Sequence, residues 1–230
     1  MKSKDLDIVY FVKDAPVNEE LKYSLRSVCE NLQFNRLWIF GGCPKEITPD
    51  VRIRVVQTGR TKWDRVRRMF IKACENKDLT DDFILFNDDF FVMQKTDEIP
   101  TWYRATLDDH IKVLAKGNYA NLLKCARKNL EVRKKTTLSY ELHVPFVFNK
   151  KKLLKLIRET PELHCTRTLY GNMYKIGGEK HNDVKIFNSK PAFDYKNSQF
   201  LSTDDTVVNI NNDAWRFIKK SFPNKCKYES

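Results

Sequence analysis

The chain has 230 residues, and with 41% hydrophobic and 12% aromatic side chains it can bury a sizeable core, while 7 glycines and 8 prolines exclude collagen-like and low-complexity classes. No apolar run approaches the roughly 18–20 residues of a membrane helix, and Met1-Lys2-Ser3-Lys4-Asp5 leads into no apolar leader stretch, so a soluble cytoplasmic protein with reduced thiols is expected. The net charge of +12 is uneven: residues 1–100 carry 17 basic and 17 acidic side chains, whereas 112–158 carry 13 and 2, a surplus that predicts an anionic partner unless it is a solvated basic face.

Residues 6–12 are short, β-branched and aromatic, and predict a buried first strand ended by Lys13-Asp14-Ala15-Pro16. A helix is expected over 18–31, with Asn18 as N-cap, Glu19 and Glu20 in the first turn, and Leu21, Leu25, Val28 and Leu32 as its apolar stripe. Strands follow at 36–40, stopped by Gly41-Gly42-Cys43-Pro44, and at 51–56. A basic helix over 61–76 leads to a buried strand at 82–86, which runs into Asn87-Asp88-Asp89. This alternation predicts an α/β fold with a mostly parallel sheet. Ligands of such sheets bind beyond the carboxyl ends of the strands, where Asp14, Gly41-Gly42 and Asn87-Asp88-Asp89 all fall.

Helices are expected over 106–117, 118–129, 150–159 and 213–222, and a strand over 144–148. The aperiodic stretch 163–182 reads as a site-lining loop. Cysteines 29, 43, 74, 125, 165 and 226 show neither C-x-x-C nor zinc-site spacing, and Cys29 and Cys74 are expected on buried apolar faces.

Two adjacent carboxylates ending an apolar strand are costly unless something pairs with them. Asp88 and Asp89 therefore read as ligands of Mg²⁺ or Mn²⁺ on a diphosphate, the alternative being a polar turn. His143, ahead of Pro145, suits a metal ligand, a general base or a structural group. Asp204 and Asp205 form a second acidic pair, and by themselves are an ordinary capping sequence. Arg65 and Arg68 share a helix side and could hold a diphosphate, as could Arg167, with a solvated surface as the alternative for each.

Four segments together carry a resemblance: Asp7-Ile-Val-Tyr-Phe-Val-Lys-Asp14, Glu20-Leu-Lys-Tyr-Ser-Leu-Arg-Ser27, Arg36-Leu-Trp-Ile-Phe-Gly-Gly42 and Asn87-Asp-Asp-Phe-Phe91. They resemble the Stealth family of sugar-phosphate transferases and, more broadly, the nucleotide-sugar glycosyltransferases of the GT-A fold, as a small phage- or bacterial-type member. His143-Val-Pro145 and Asp204-Asp205 look like that family's later histidine and acidic pair. Where the family has Trp-Val-Asp-Gly-Ser-Asp-Pro, this chain has Val12-Lys-Asp-Ala-Pro16.

The resemblance implies a GT-A-like, Rossmann-like mixed sheet flanked by helices, with residues 1–100 binding a nucleotide-sugar and 101–230 shaping the acceptor site. It implies metal-dependent transfer of a sugar to a hydroxyl of an anionic acceptor, either a hydroxymethylated DNA base or an envelope polymer. Phe11 and Asp14 would contact the nucleotide, Asp88 and Asp89 the metal, and His143 the metal or the acceptor. Asp204 or Asp205 would be the base, and Arg65 and Arg167 would neutralise the diphosphate. The alternatives are hexose-1-phosphate transfer to a polysaccharide and a non-catalytic nucleic-acid-binding module.

Overall fold

A computed structural model describes residues 2–58, 61–114, 116–160, 164–187, 193–209 and 211–230. In chain order the elements are β1 (Asp7–Val12), α1 (Glu19–Asn31), β2 (Leu37–Gly41), β3 (Val51–Ile53), α2 (Lys62–Glu75), β4 (Asp82–Phe86), β5 (Phe90–Val92), β6 (Trp102–Tyr103), β7 (Ala105–Thr106), α3 (Leu107–Leu114), α4 (Asn118–Val132), β8 (Leu138–Ser139), β9 (Phe146–Asn149), α5 (Lys150–Glu159), α6 (Thr166–Met173), β10 (Glu179–Lys180), β11 (Lys185–Ile186), β12 (Phe200–Thr203), α7 (Asp205–Asn209) and α8 (Asp213–Ser221). No helix among the described residues is long and apolar enough to cross a membrane.

The chain forms two compact units, one of Met1–Ile99, His143–Lys151 and Val184–Ser230, the other of Pro100–Leu142 and Lys152–Asp183. This differs from a division into halves at residue 100, and strand pairing is the reason. β9 completes the main sheet by pairing with β4, and β11 and β12 build a second sheet onto β5.

The main sheet of the first unit has the order β3-β2-β1-β4-β9. The first four strands are parallel, with Ile8 beside Leu37 and Val9 beside Leu85, and β9 is antiparallel, with Phe146 opposite Leu85. The fold is thus the expected α/β type, with a mostly parallel mixed sheet and helical crossovers. β1, β2 and β4 are buried along nearly their whole length, which explains their unbroken apolar runs. The second sheet, β11-β12-β5, packs Phe91, Ile186 and Leu201 against Trp215, Ile218 and Phe222 of α8 and the residue after it.

Both crossover helices start where the sequence places them. Asn18 Oδ1 accepts from the Leu21 N–H at 2.9 Å, and Thr61 with Asp64 forms a capping box. Three polar residues of the Glu20–Ser27 octapeptide, Ser24, Arg26 and Ser27, have a structural task. Ser24 donates to the Phe90 carbonyl and shares a 2.8 Å hydrogen bond with the Tyr10 hydroxyl. Ser27 accepts from the Val92 N–H at 3.0 Å, and Arg26 forms a buried pair with Glu229. The two serine bonds seat α1 against β5, the strand that immediately follows Asp88 and Asp89, and the Arg26 pair ties it to the C-terminal segment.

In the second unit, α4 buries Ala120, Leu123, Ala126 and Leu130. The stretch expected as a loop over 163–182 instead contains α6 and β10, with residue 163 outside the described part. The side chain of Asn172 on α6 accepts from Leu138 N–H and donates to the Leu138 carbonyl, so a buried amide holds this helix without an apolar period. Cys74 is buried as expected, whereas Cys29 is half-buried because it lines a cavity with Leu32, Gln33 and Phe34.

Candidate active site

Because β1, β2 and β4 run parallel, the residues after Val12, Gly41 and Phe86 emerge along one edge of the sheet. α1 and α2 both begin at this edge, so Asn18, Glu20 and Arg65 belong to it as well. β9 enters here too, antiparallel to β4, which brings the preceding His143 to the same edge. Two glycines make room. Gly41 has φ +101°, and a Cβ there would lie 2.4 Å from the Val12 carbonyl oxygen. At Gly42 a Cβ would lie 2.7 Å from the Asp14 Cα, so this residue lets the β1 loop lie directly on the end of β2. Asp14 is exposed, and Phe11 is half-buried, its ring edge-on to Phe70 at 4.8 Å.

The Asp88-Asp89 turn is built from both sides. Asp88 Oδ2 accepts from the Asn18 amide at 2.7 Å, so the helix cap of α1 also orients the carboxylate. Asp89 Oδ2 accepts from Lys185 Nζ at 2.9 Å and from Ser202 Oγ at 2.8 Å, on β11 and β12. Its carbonyl accepts from Thr203 N–H, so Asp204 and Asp205 continue from the same place.

A third carboxylate joins them. Glu20 Oε1 accepts from Thr203 Oγ1 at 2.6 Å. Burial pushes the Glu20 carboxyl up from its ordinary 4.5 to about 7; the Thr203 hydroxyl pulls against this, and Asp89, Asp88 and Asp205 add to the rise. Asp88 is also raised, by burial first, then by Asp89 and Asp205 against the Asn18 hydrogen bond. The edge therefore carries more negative charge than its neighbours neutralise. Sequence reasoning took Glu20 as a favourable residue in a helix first turn; the signal that singles it out is that this turn opens onto a strand-end acidic pair.

The second acidic pair divides in role. Burial raises the Asp204 carboxyl, but the Thr206 hydroxyl and the Val207 and Thr206 N–H groups outweigh this and hold it below its ordinary value. Asp204 is thus the cap of α7, and Asp205, the first residue of that helix, is exposed. The His143 ring stands edge-on to Phe187 at 6.4 Å, two residues beyond Lys185, which puts it on the Asp89 side of the edge. Arg65 is half-buried in the first turns of α2, and Arg68 donates to Thr58 Oγ1 at 2.7 Å. Arg167 belongs to the second unit, where it donates to the Leu142 carbonyl.

Among the described residues no group of three or more His, Cys, Asp or Glu side chains is arranged to hold a metal ion. Asp88, Asp89 and His143 therefore do not make a preformed metal centre, because Asp89 is turned to Lys185 and Ser202 and the imidazole to Phe187. The basic surplus over 112–158 is partly used internally. Lys112 lies 3.7 Å from Asp109, Arg127 pairs with Asp108 and Glu131, Lys150 and Lys151 face Asp81, and Lys155 lies 3.8 Å from Glu159. Lys116, Lys124, Lys128 and Lys134 are exposed.

No protein-family model matches the sequence, and no curated protein matches it. Among solved structures the chain is similar to the apo form of the glycosyltransferase GlyE of Streptococcus pneumoniae TIGR4, at 11% identity and a TM-score of 0.40, over 77% of this chain and 45% of that one. A second structure of GlyE gives 10% identity and a TM-score of 0.40 over the same shares. The chain thus spans less than half the length of those proteins.

Proposed function

We propose that the chain transfers a sugar from a nucleotide-sugar to a hydroxyl of an anionic acceptor. The observation that carries this reading is the convergence of Asp14, Gly41-Gly42, Glu20 and Asp88-Asp89 on the carboxyl edge of a parallel sheet, the place where such sheets bind nucleotides. Phe11 and Asp14 would flank the nucleotide, and the first turn of α2 with Arg65 would face the diphosphate.

A divalent ion brought by the donor, Mn²⁺ or Mg²⁺, needs one or two protein carboxylates when phosphate oxygens and water supply the rest. The residues suit such an ion, because burial raises Glu20 and Asp88 and neighbouring carboxylates add to the rise, and a cation would offset both. Asp88 would hold it, with Asp89 behind on Lys185. When bound, the ion would offset the charge developing on the departing diphosphate.

Glu20, with its carboxyl near 7, is the group best suited to take the acceptor proton at neutral pH. Asp205 lies close enough to act on it, His143 is at the same sheet edge, and Asp204 is committed to its cap. The exposed lysines of α4 and the residues after it would supply salt-sensitive attraction for a polymeric acceptor, for which hydroxymethylated DNA and a phosphate-bearing envelope polysaccharide are the substrates to compare.

The test is to incubate the protein with Mn²⁺, a panel of nucleotide-sugars and each acceptor, and to follow the nucleotide released. Nucleoside diphosphate is the expected product, and Glu20→Gln is expected to lower its release by roughly a hundredfold or more. Monophosphate would mean sugar-phosphate transfer, the alternative that the Asn87–Phe91 and Glu20–Ser27 resemblance raises. DNA binding without release of either nucleotide would replace the enzyme reading by that of a binding module.

A further inference from the structure

β12 is buried along its whole length, and the hydroxyls of its last two residues serve two different carboxylates. The strand pairs antiparallel with β5, with Ser202 opposite Phe90, and parallel with β11, with Ser202 beside Lys185. Neighbouring side chains of a strand leave it on opposite faces. Ser202 Oγ donates to Asp89 Oδ2 at 2.8 Å, an oxygen that also accepts from Lys185 Nζ at 2.9 Å. Thr203 Oγ1 donates to Glu20 Oε1 at 2.6 Å, across 183 residues of sequence.

The two carboxylates are thereby left in different states. Asp89 has an ammonium and a hydroxyl on one oxygen. Glu20 has a single hydroxyl on Oε1, and its Oε2 accepts a hydrogen bond from none of the described residues. Glu20 is half-buried, whereas Thr203 is fully buried, so Oε1 is the oxygen tied to the protein interior and Oε2 is left for a bound group. Thr203 is suited to hold it. Its side chain is β-branched, with few rotamers open to it, and no solvent competes for its hydroxyl. Its N–H donates to the Asp89 carbonyl at 3.2 Å, so the hydroxyl is also fixed relative to the acidic turn. One residue thus joins α1, which supplies Glu20, to the turn that supplies Asp88 and Asp89.

We infer that Thr203 is a positioning residue, which fixes the Glu20 carboxylate so that Oε2 takes the proton of the acceptor hydroxyl. The inference rests on the reading of Glu20 as the base, and it gives Thr203 no contact with substrate. In the step it serves, the acceptor O–H bond breaks and its proton passes to Oε2. The acceptor oxygen bonds to the anomeric carbon of the sugar, and the bond from that carbon to the diphosphate breaks, its electron pair leaving with the nucleoside diphosphate. Without the Thr203 hydroxyl the carboxylate is free to turn about its side-chain bonds, and the proton acceptor is no longer held at one place.

The experiment follows nucleoside diphosphate release with Mn²⁺, the nucleotide-sugar panel and both acceptors. It compares wild type with Thr203→Val, Thr203→Ala, Thr203→Ser, Glu20→Gln and the double variant Glu20→Gln/Thr203→Val. Valine keeps the branched shape and removes the hydroxyl, whereas serine keeps the hydroxyl. Thr203→Val is expected to lower kcat about tenfold with the KM for the donor unchanged. Thr203→Ala, the second hydroxyl-free variant, is expected to match it, and Thr203→Ser to recover most of the loss. In the Glu20→Gln background Thr203→Val is expected to cost nothing further, because it acts only through Glu20. A second loss of about tenfold in that background would overturn the inference. So would an undiminished kcat in Thr203→Val and Thr203→Ala beside a large loss in Glu20→Gln, and either result would leave Glu20 as the base. Undiminished release by Glu20→Gln, or no nucleotide released by wild type, would overturn the reading of Glu20 and this inference with it.

Discussion

Each of the two edges of the main sheet holds carboxylate, and the two are built to opposite ends. At the amino edge Asp7 is fully buried and every lone-pair direction is used. Its Oδ1 accepts from Asn35 at 2.7 Å and Arg36 Nε at 3.3 Å, and its Oδ2 from Arg36 Nη2 at 3.0 Å, Trp38 Nε1 at 2.9 Å and Thr80 N–H at 3.1 Å. At the carboxyl edge Glu20 and Asp88 are raised because burial and neighbouring carboxylates act together. The first arrangement is complete without a ligand. The second carries charge that a bound cation or a captured proton would satisfy, and it is there that the candidate site lies.

The sharpest way to break this contrast is to remove Asp7. Asp7→Ala leaves the Trp38 and Thr80 N–H groups without their acceptor, while the partly exposed Arg36 keeps the Asp78 carbonyl, and buried donors left unpaired cost about 1–3 kcal/mol each. Urea unfolding is expected to show that loss, while nucleotide binding of the molecules that remain folded stays unchanged. A change in nucleotide affinity would mean that the amino edge is not purely structural.

The carboxyl edge should respond to pH instead. Below about 4.5, Glu20 is protonated in both the folded and the unfolded chain. Between 4.5 and about 7 the unfolded chain ionises while the folded one keeps the proton, so stability falls as pH rises, and the loss is complete above 7. At about 1.4 kcal/mol per pH unit the window amounts to up to about 3 kcal/mol. Asp88, also raised, contributes with the same sign. Glu20→Gln is expected to gain stability relative to wild type across this window, and urea titrations at half-unit intervals measure the difference curve. Parallel curves for the two proteins would remove Glu20 from the cluster.

Much of this edge was legible from residue order alone. Val9, Tyr10, Ile39, Phe40, Ile84 and Leu85 lie in continuous apolar runs because their strands are buried on both faces, and the polar residues that end those runs mark the edge. Asn18 and Asn87-Asp88-Asp89 were found this way. What could not be read was what the late strands do. β11 and β12 are two and four residues long, too short for a period, yet they deliver Lys185, Ser202 and Thr203 to Asp89 and Glu20. Pairing over 96 to 183 residues of separation leaves no local signal, so the carboxylates were visible and their partners were not. The same holds for Glu229, whose partner Arg26 lies 203 residues away.

Within the carboxyl edge a smaller contrast separates two adjacent residues. Asp204 accepts from Thr206 N–H and Val207 N–H, each at 3.1 Å, and Asp204→Ala is expected to cost about 1 kcal/mol, the usual worth of a helix cap. Asp205 is exposed, and Asp205→Asn is expected to stay within about 0.5 kcal/mol of wild type. Its effect should appear in titration rather than stability. Asp205 raises both Glu20 and Asp88, so its neutralisation should lower the Glu20 midpoint from about 7 toward the ordinary value, read by carboxyl carbon NMR across the pH range. Because burial is the larger cause, the midpoint should stay well above 4.5. An unmoved midpoint would show that Asp205 is electrostatically separate from the cluster, leaving Glu20, Asp88 and Asp89 as its whole extent.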